Sequence, residues 1–182
     1  MQAALYQRNK SFTVGDSETI TPGPDDVRIE VAYCGVCGTD VHIYLGHMDG
    51  RVADRQIIGH EMSGVVAEVG ANVSQWKPGD RVTVRPLDHC GDCPACEAGH
   101  SHICQKLKFL GIDTPGAMQG SWTVPAHTLH RLPENVSLQH AAMIEPIAVA
   151  CHDVRLGGVQ PGEQVVVIGG GPIGMLIALV AR

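Results

Sequence analysis

Aromatic side chains are scarce in this 182-residue chain, which carries two Trp, three Tyr and two Phe against 22 Gly. So few rings among so many glycines do not suit a helical bundle and do suit a turn-rich β domain. Basic charge is also short: 13 Lys and Arg face 19 Asp and Glu, a formal net charge of -6. A nucleic-acid partner, which calls for a basic patch, is therefore not expected. No apolar run reaches the roughly 18 residues of a membrane helix, the longest candidate being 175–181. Nor does a charged-then-apolar export pattern stand at the start, where residues 1–6 run quickly into Arg8 and Lys10. These absences predict a cytoplasmic protein with no membrane partner. No internal repeat or low-complexity segment is visible.

Cysteine, by contrast, is plentiful, and its odd count of seven does not pair off. Four fall in the run Cys90-x2-Cys93-x2-Cys96-x7-Cys104, with Gly91 and Gly99 around it. Without an export signal, thiols this close point to metal rather than disulfides. Four thiolates close a tetrahedron around zinc, and a closed four-cysteine site is structural. An iron–sulfur cluster fits less well, because the last gap is seven residues and Pro94 is misplaced for that run. His89, His100 and His102 lie nearby and read as solvated loop residues.

A second donor set is spread along the chain in Cys34-Gly35-Val36-Cys37-Gly38-Thr39-Asp40-Val41-His42, Gly59-His60-Glu61 and Ile144-Glu145-Pro146. Cys37, His60 and Glu61 or Glu145 offer the thiolate, imidazole and carboxylate that hold a catalytic zinc with one position open. Thr39 and His42 add a hydroxyl and an imidazole suited to moving a proton. Two other readings fail on spacing. A zinc protease needs a second histidine where Gly64 stands, and a zinc deaminase needs a residue between His60 and Glu61. Cys34 lacks a second knuckle to pair with and reads as a small buried residue. Cys151 and His152 read as helix residues packed against the core.

Turn signals and alternating apolar residues predict strands at 27–31, 62–69, 81–84, 121–125 and 128–132. Strands at this spacing without long helices between them predict an all-β, barrel-like domain in the first half of the chain. Beyond Ser137, a helix N-cap, the texture turns helical, with a second helix at 147–155 opened by Pro146. A buried strand at 164–168 is expected to run into Gly169-x-Gly171-x-x-Gly174 and an apolar helix. That strand–turn–helix context makes the glycines a dinucleotide fingerprint rather than a chance pattern. The acidic residue that would hold the ribose hydroxyl falls beyond Arg182, so NAD and NADP are both open.

Together these residues resemble the zinc-dependent medium-chain dehydrogenases, the alcohol, polyol and threonine dehydrogenases. The resemblance runs through the segment 34–40, Gly59-His60-Glu61, Lys77-Pro78-Gly79-Asp80-Arg81-Val82, the four-cysteine lobe and the glycine turn, in the family's order. It implies a mainly β GroES-like domain with a zinc lobe, residues 1–150. The first βα unit of a truncated α/β Rossmann domain, 151–182, follows. It also implies two zincs per chain and NAD or NADP. Cys37, His60, Glu61 and Glu145 match the catalytic zinc shell. Cys90, Cys93, Cys96 and Cys104 match the structural zinc, and Thr39 and His42 the proton relay. Gly169, Gly171, Pro172, Ile173 and Gly174 match the cofactor turn. Glutamate at 145, where simple alcohol dehydrogenases carry cysteine, implies a polyol, vicinal diol or similar hydroxy substrate. Such enzymes run to about twice this length, so the resemblance implies a fragment that keeps zinc better than activity, and a homo-oligomer at full length. The alternatives are threonine 3-dehydrogenase-like specificity and a non-catalytic zinc-stabilised binding or scaffold module. Against the latter stand Thr39, His42 and Glu145, which a scaffold has no need to combine.

Overall fold

The structure, a computed structural model, describes residues 1–8 and 10–182. Among these the elements run β1 (Gln2–Tyr6), β2 (Phe12–Asp16), β3 (Asp26–Cys34), α1 (Gly38–Tyr44), β4 (Gln56–Ile57), β5 (Met62–Val69) and β6 (Arg81–Val84). They continue with β7 (Leu87–Asp88), α2 (Pro94–Glu97), β8 (Lys108–Phe109), β9 (Ser121–Pro125), β10 (Leu129–Arg131), α3 (Leu138–Ala141), α4 (Ile144–Leu156) and α5 (Pro172–Val180).

Five strands form one antiparallel sheet in the order β10-β6-β5-β3-β9. Alternation fixes its inner face: on β3, Val27 and Ile29 point inward and stand opposite Val124 and Trp122 of β9. Met62 and Val66 from β5 and Val82 and Val84 from β6 complete that core. Burying each such side chain contributes roughly 1.5–3 kcal/mol. Both tryptophan N–H groups are satisfied, Trp122 donating to Pro115 O at 2.8 Å and Trp76 to Ala126 O at 3.0 Å. A smaller sheet, β2-β1-β4, closes over Tyr6, Ile43, Val52 and Ile58, and β7 pairs with β8 at the root of the cysteine lobe.

The predicted strands at 62–69, 81–84 and 121–125 appear with those bounds, and Ser137 caps α3 by accepting from His140 N at 3.2 Å. The second helix begins earlier than expected, at Ile144, which puts Glu145 in its first turn. The strand expected at 164–168 does not form. A strand exists through its ladder, and no strand among the described residues pairs with this segment; Val166 is 85% exposed and Ile168 97%. Cys151 corrects another expectation: it lies exposed on α4 rather than packed inward, while His152 is half-buried. Among the described residues no helix is long and apolar enough to cross a membrane.

Candidate active site

Cys37 ends the loop after β3 and is the N-cap of α1. Its Sγ accepts from Thr39 N at 3.4 Å, while its own N–H donates to Asp40 Oδ2 at 2.8 Å. His60 and Glu61 stand just before β5, and Gly35 N donates to Glu61 O at 2.7 Å, tying the two loops together. Gly59 makes the approach possible. Its φ is +96°, and a Cβ there would lie 2.9 Å from Cys34 Sγ and 2.7 Å from Met118 Cγ; glycine alone adopts this backbone without strain. The result is that Cys37, His60 and Glu61 bring one ligand atom each within 4.8 Å of one another.

Burial shapes the chemistry of this group. Desolvation pushes the Cys37 thiol and the Glu61 carboxyl up from their ordinary values, and the neighbouring His60 pulls Glu61 partly back. His60 is 2% exposed and Asp40 3%. His60 Nδ1 and Asp40 Oδ1 are both buried without a hydrogen-bond partner. Burial raises Asp40, and the charge of His60 lowers it. Orphaned buried polar atoms carry a cost unless something completes them. A thiol, an imidazole and a carboxyl converging beside the buried Asp40 carboxyl fit a metal held by sulfur, nitrogen and oxygen. Asp40 escaped the sequence reading, although Cys37-x-x-Asp40 is a capping-box pattern with cysteine in the cap position.

Other site residues stand around this group. Glu145 does not join it at ligand distance. It lies within electrostatic reach, its carboxyl raised by burial, lowered by His60 and raised again by Glu61. Thr39 is half-buried and His42 exposed on α1, so the two run from the site toward solvent. His42 Nδ1 lies 3.3 Å from His47 Nδ1. Cys34 stays outside the group; burial raises its thiol to about 12, and it donates to Gly35 O at 3.5 Å.

The lobe brings Cys90, Cys93, Cys96 and Cys104 together. Their sulfurs stand 3.5 Å (93–96), 3.9 Å (93–104) and 3.4 Å (104–90) apart. A zinc tetrahedron with bonds of about 2.3 Å has edges of about 3.8 Å, whereas a disulfide needs about 2.05 Å. The four sulfurs therefore fit a metal. The four thiols divide: the backbone N–H groups of Gln105 and Cys96 hold Cys93 down to about 6, whereas the Asp92 side chain pushes Cys90 up to about 12 and burial pushes Cys96 up. Cys90 and Lys106 donate to Cys104 at 3.4 Å and 3.3 Å and lower it too. None of His89, His100 and His102 enters this group.

At the glycine turn, Gly169 has φ +112°, Gly171 is the N-cap of α5, and Pro172 opens the helix with Ile173 after it. A Cβ on Gly174 would collide with the Gly169 carbonyl oxygen, so the turn closes only with glycine there. No side chain caps this helix start, which leaves its N–H groups free to face an anion.

A family model described as alcohol dehydrogenase GroES-like domain matches residues 23–134. The chain belongs to this family. Its fold and motifs are those of the zinc-dependent medium-chain dehydrogenases, mainly β with a GroES-like domain. It is 58% identical over 182 residues to the 2-dehydro-3-deoxy-L-galactonate 5-dehydrogenase of Pseudoalteromonas atlantica, covering 100% of this chain and 53% of that one. It is 43% identical over 166 residues to a D-xylulose reductase A of Aspergillus clavatus, covering 87% of this chain and 45% of that one. The solved structure of a zinc-binding dehydrogenase from Sinorhizobium meliloti bound to NADP superposes with a TM-score of 0.92 at 35% identity, covering 100% of this chain and 52% of that one. The chain thus spans about half the length of the curated relatives it matches.

Proposed function

We propose that the protein is a zinc-dependent NAD(P) oxidoreductase that reversibly oxidises a secondary hydroxyl on a polyol, vicinal diol or similar sugar-derived substrate. Convergence of Cys37, His60 and Glu61, beside the orphaned Asp40 and His60 atoms, carries this reading. Residues 1–150 are read as the catalytic domain and 151–182 as the opening of the cofactor domain. Cys37 and His60 hold the catalytic ion, with Glu61 and Glu145 as the acids that complete or support its shell. The lobe cysteines hold a second, structural zinc. A bound zinc supplies Lewis-acid polarisation of the hydroxyl, and a nicotinamide supplies the hydride acceptor. Thr39 Oγ1 would accept the substrate hydroxyl proton while releasing its own toward the exposed His42 imidazole, which passes a proton to solvent. The turn 169–174 sets the cofactor's phosphates at the start of α5.

Steady-state assay of the zinc-loaded enzyme at the full length of its relatives tests this, with NAD and NADP against alditols, vicinal diols and simple primary alcohols. The expected result is nicotinamide reduction by the polyhydroxy substrates in preference to primary alcohols, and loss of both zinc and turnover in Glu145→Ala. Normal zinc content and turnover in that variant would remove Glu145 from the site. No nicotinamide reduction with any hydroxy substrate would overturn the reading.

A further inference from the structure

Two imidazoles meet where α1 ends, and the way the helix closes brings them together. Gly46 follows the C-cap Leu45 and takes the left-handed backbone, φ +82°. Its N–H donates to Ile43 O at 2.9 Å, and the next N–H, that of His47, reaches back to His42 O at 3.0 Å. This pair of bonds is a Schellman closure, and it lays the side chain at position 47 against the one at position 42. The two side chains so matched are ordinarily apolar. Here both are histidines.

Their ring centroids stand 5.3 Å apart at 64°, and Nδ1 of one lies 3.3 Å from Nδ1 of the other. Two lone pairs or two N–H groups at that distance would repel, so one ring donates and the other accepts, and the pair shares a proton. Both rings are exposed, and imidazole is the side chain that takes up and releases protons near neutral pH. Thr39 lies three residues before His42, so its hydroxyl and the first imidazole share a face of α1. The other titratable groups around this helix end are engaged elsewhere. Asp40 accepts from Cys37 N, Asp49 accepts from the Tyr6 hydroxyl at 2.6 Å, and Arg8 donates to Asp49 O at 3.1 Å.

We propose that His47 is a positioning residue that completes the proton exit through His42. On taking up the proton that Thr39 releases, His42 gives its Nδ1 proton to Nδ1 of His47. His47 then yields the proton on its other ring nitrogen to water or a buffer base. Only N–H bonds form and break, each ring ends neutral, and exchange with water restores the starting tautomers because both rings are exposed. This rests on the dehydrogenase reading, which is what delivers a proton to His42.

The test has two arms. Nitrogen NMR of the zinc-loaded chain with isotope-labelled histidine reads the pair by itself. One Nδ1 should carry the proton and its partner lack it, and His47→Ala should shift the ring nitrogens of His42 with zinc content unchanged. Unmoved His42 signals would overturn the pairing. The second arm follows proton release with an indicator dye during a single turnover of the zinc-loaded enzyme at the full length of its relatives, with xylitol and galactitol as substrates. In dilute buffer His47→Ala should slow release by at least about 10-fold, and added imidazole should restore it while leaving wild type unaffected. His47→Gln can still hydrogen-bond His42 but cannot pass a proton on, so it should be as slow as His47→Ala. Thermal melting of both variants checks that they fold, and the response to imidazole separates a lost proton path from a lost helix end. Wild-type release in His47→Ala, a deficit that imidazole does not relieve, or full recovery in His47→Gln would overturn the proposal. No nicotinamide reduction with any hydroxy substrate, with the ring pair intact by NMR, would overturn the dehydrogenase reading and the exit path with it. Turnover in wild type without a shared ring proton would remove the pair alone.

Discussion

Cys37 and Asp40 brace each other across the first turn of α1: the Cys37 N–H donates to Asp40 Oδ2 at 2.8 Å, and Asp40 Oδ1 remains buried without a partner on the His60 side of the site. One carboxylate therefore both closes the capping box of the helix that presents the Cys37 thiol and stands near the His60 imidazole. Asp40→Ala should weaken metal binding at the Cys37 site about 10- to 100-fold, as loss of a supporting carboxylate does. It should also lower stability through loss of the capping-box bond that the Cys37 N–H donates to Asp40. Chelator competition reads the first effect and thermal melting the second. Unchanged metal affinity would remove Asp40 from the centre.

The lobe should behave as a structural site. Its sulfurs are already arranged at tetrahedral spacing, and α2 between them has four residues, too few to hold itself. Cys93→Ser should lower the melting temperature and expose the lobe to proteolysis, whereas Cys37→Ser should leave both near wild type. Equal melting of the two variants would contradict a division into structural and catalytic metals.

Thr39→Ala removes the relay hydroxyl, which also hydrogen-bonds the Cys37 thiol and, against the raising effect of burial, helps hold it down. Thr39 also lends its backbone N–H to Cys37 Sγ, and that bond survives the substitution. The expected result is a fall in kcat of about 100-fold or more with zinc retained. Unchanged turnover would sink the relay.

Acid stability should depend on Asp80. This carboxylate is 8% exposed and accepts from Arg131 at 2.7 Å and 3.1 Å and from Lys77 N at 3.1 Å. The Arg131 guanidinium, then the Lys77 N–H, hold it below its ordinary value against the opposing effect of burial. Because the folded value is the depressed one, the unfolded chain takes up the proton first as pH falls. The stabilisation is fully present above about pH 4 and is lost below it, down through the folded value. The difference in melting temperature between wild type and Asp80→Asn should shrink as pH is lowered through this window. A constant difference would mean that Asp80 contributes no linked proton.

The sheet was legible wherever side chains alternate, as in β5 and β6, and the lobe because four cysteines at short spacing carry their own chemistry. Elements that depend on distant partners were not. β1, β2 and β4 are short, and α1 is a seven-residue helix capped by cysteine rather than by serine or aspartate. At 164–168 the apolar run that reads as a buried strand finds no ladder among the described residues and stays exposed. Cys37, His60 and Glu61 were readable as donors, but their meeting depends on the left-handed backbone at Gly59. Asp40 stood out only once its buried, unpartnered atom was located.

Zinc content per chain, by elemental mass spectrometry on the purified protein, tests the central claim most directly. Two zincs are expected, one lost in Cys37→Ser and the other in Cys93→Ser. A single zinc that survives Cys37→Ser and disappears with Cys93→Ser would contradict a metal centre at Cys37, His60 and Glu61.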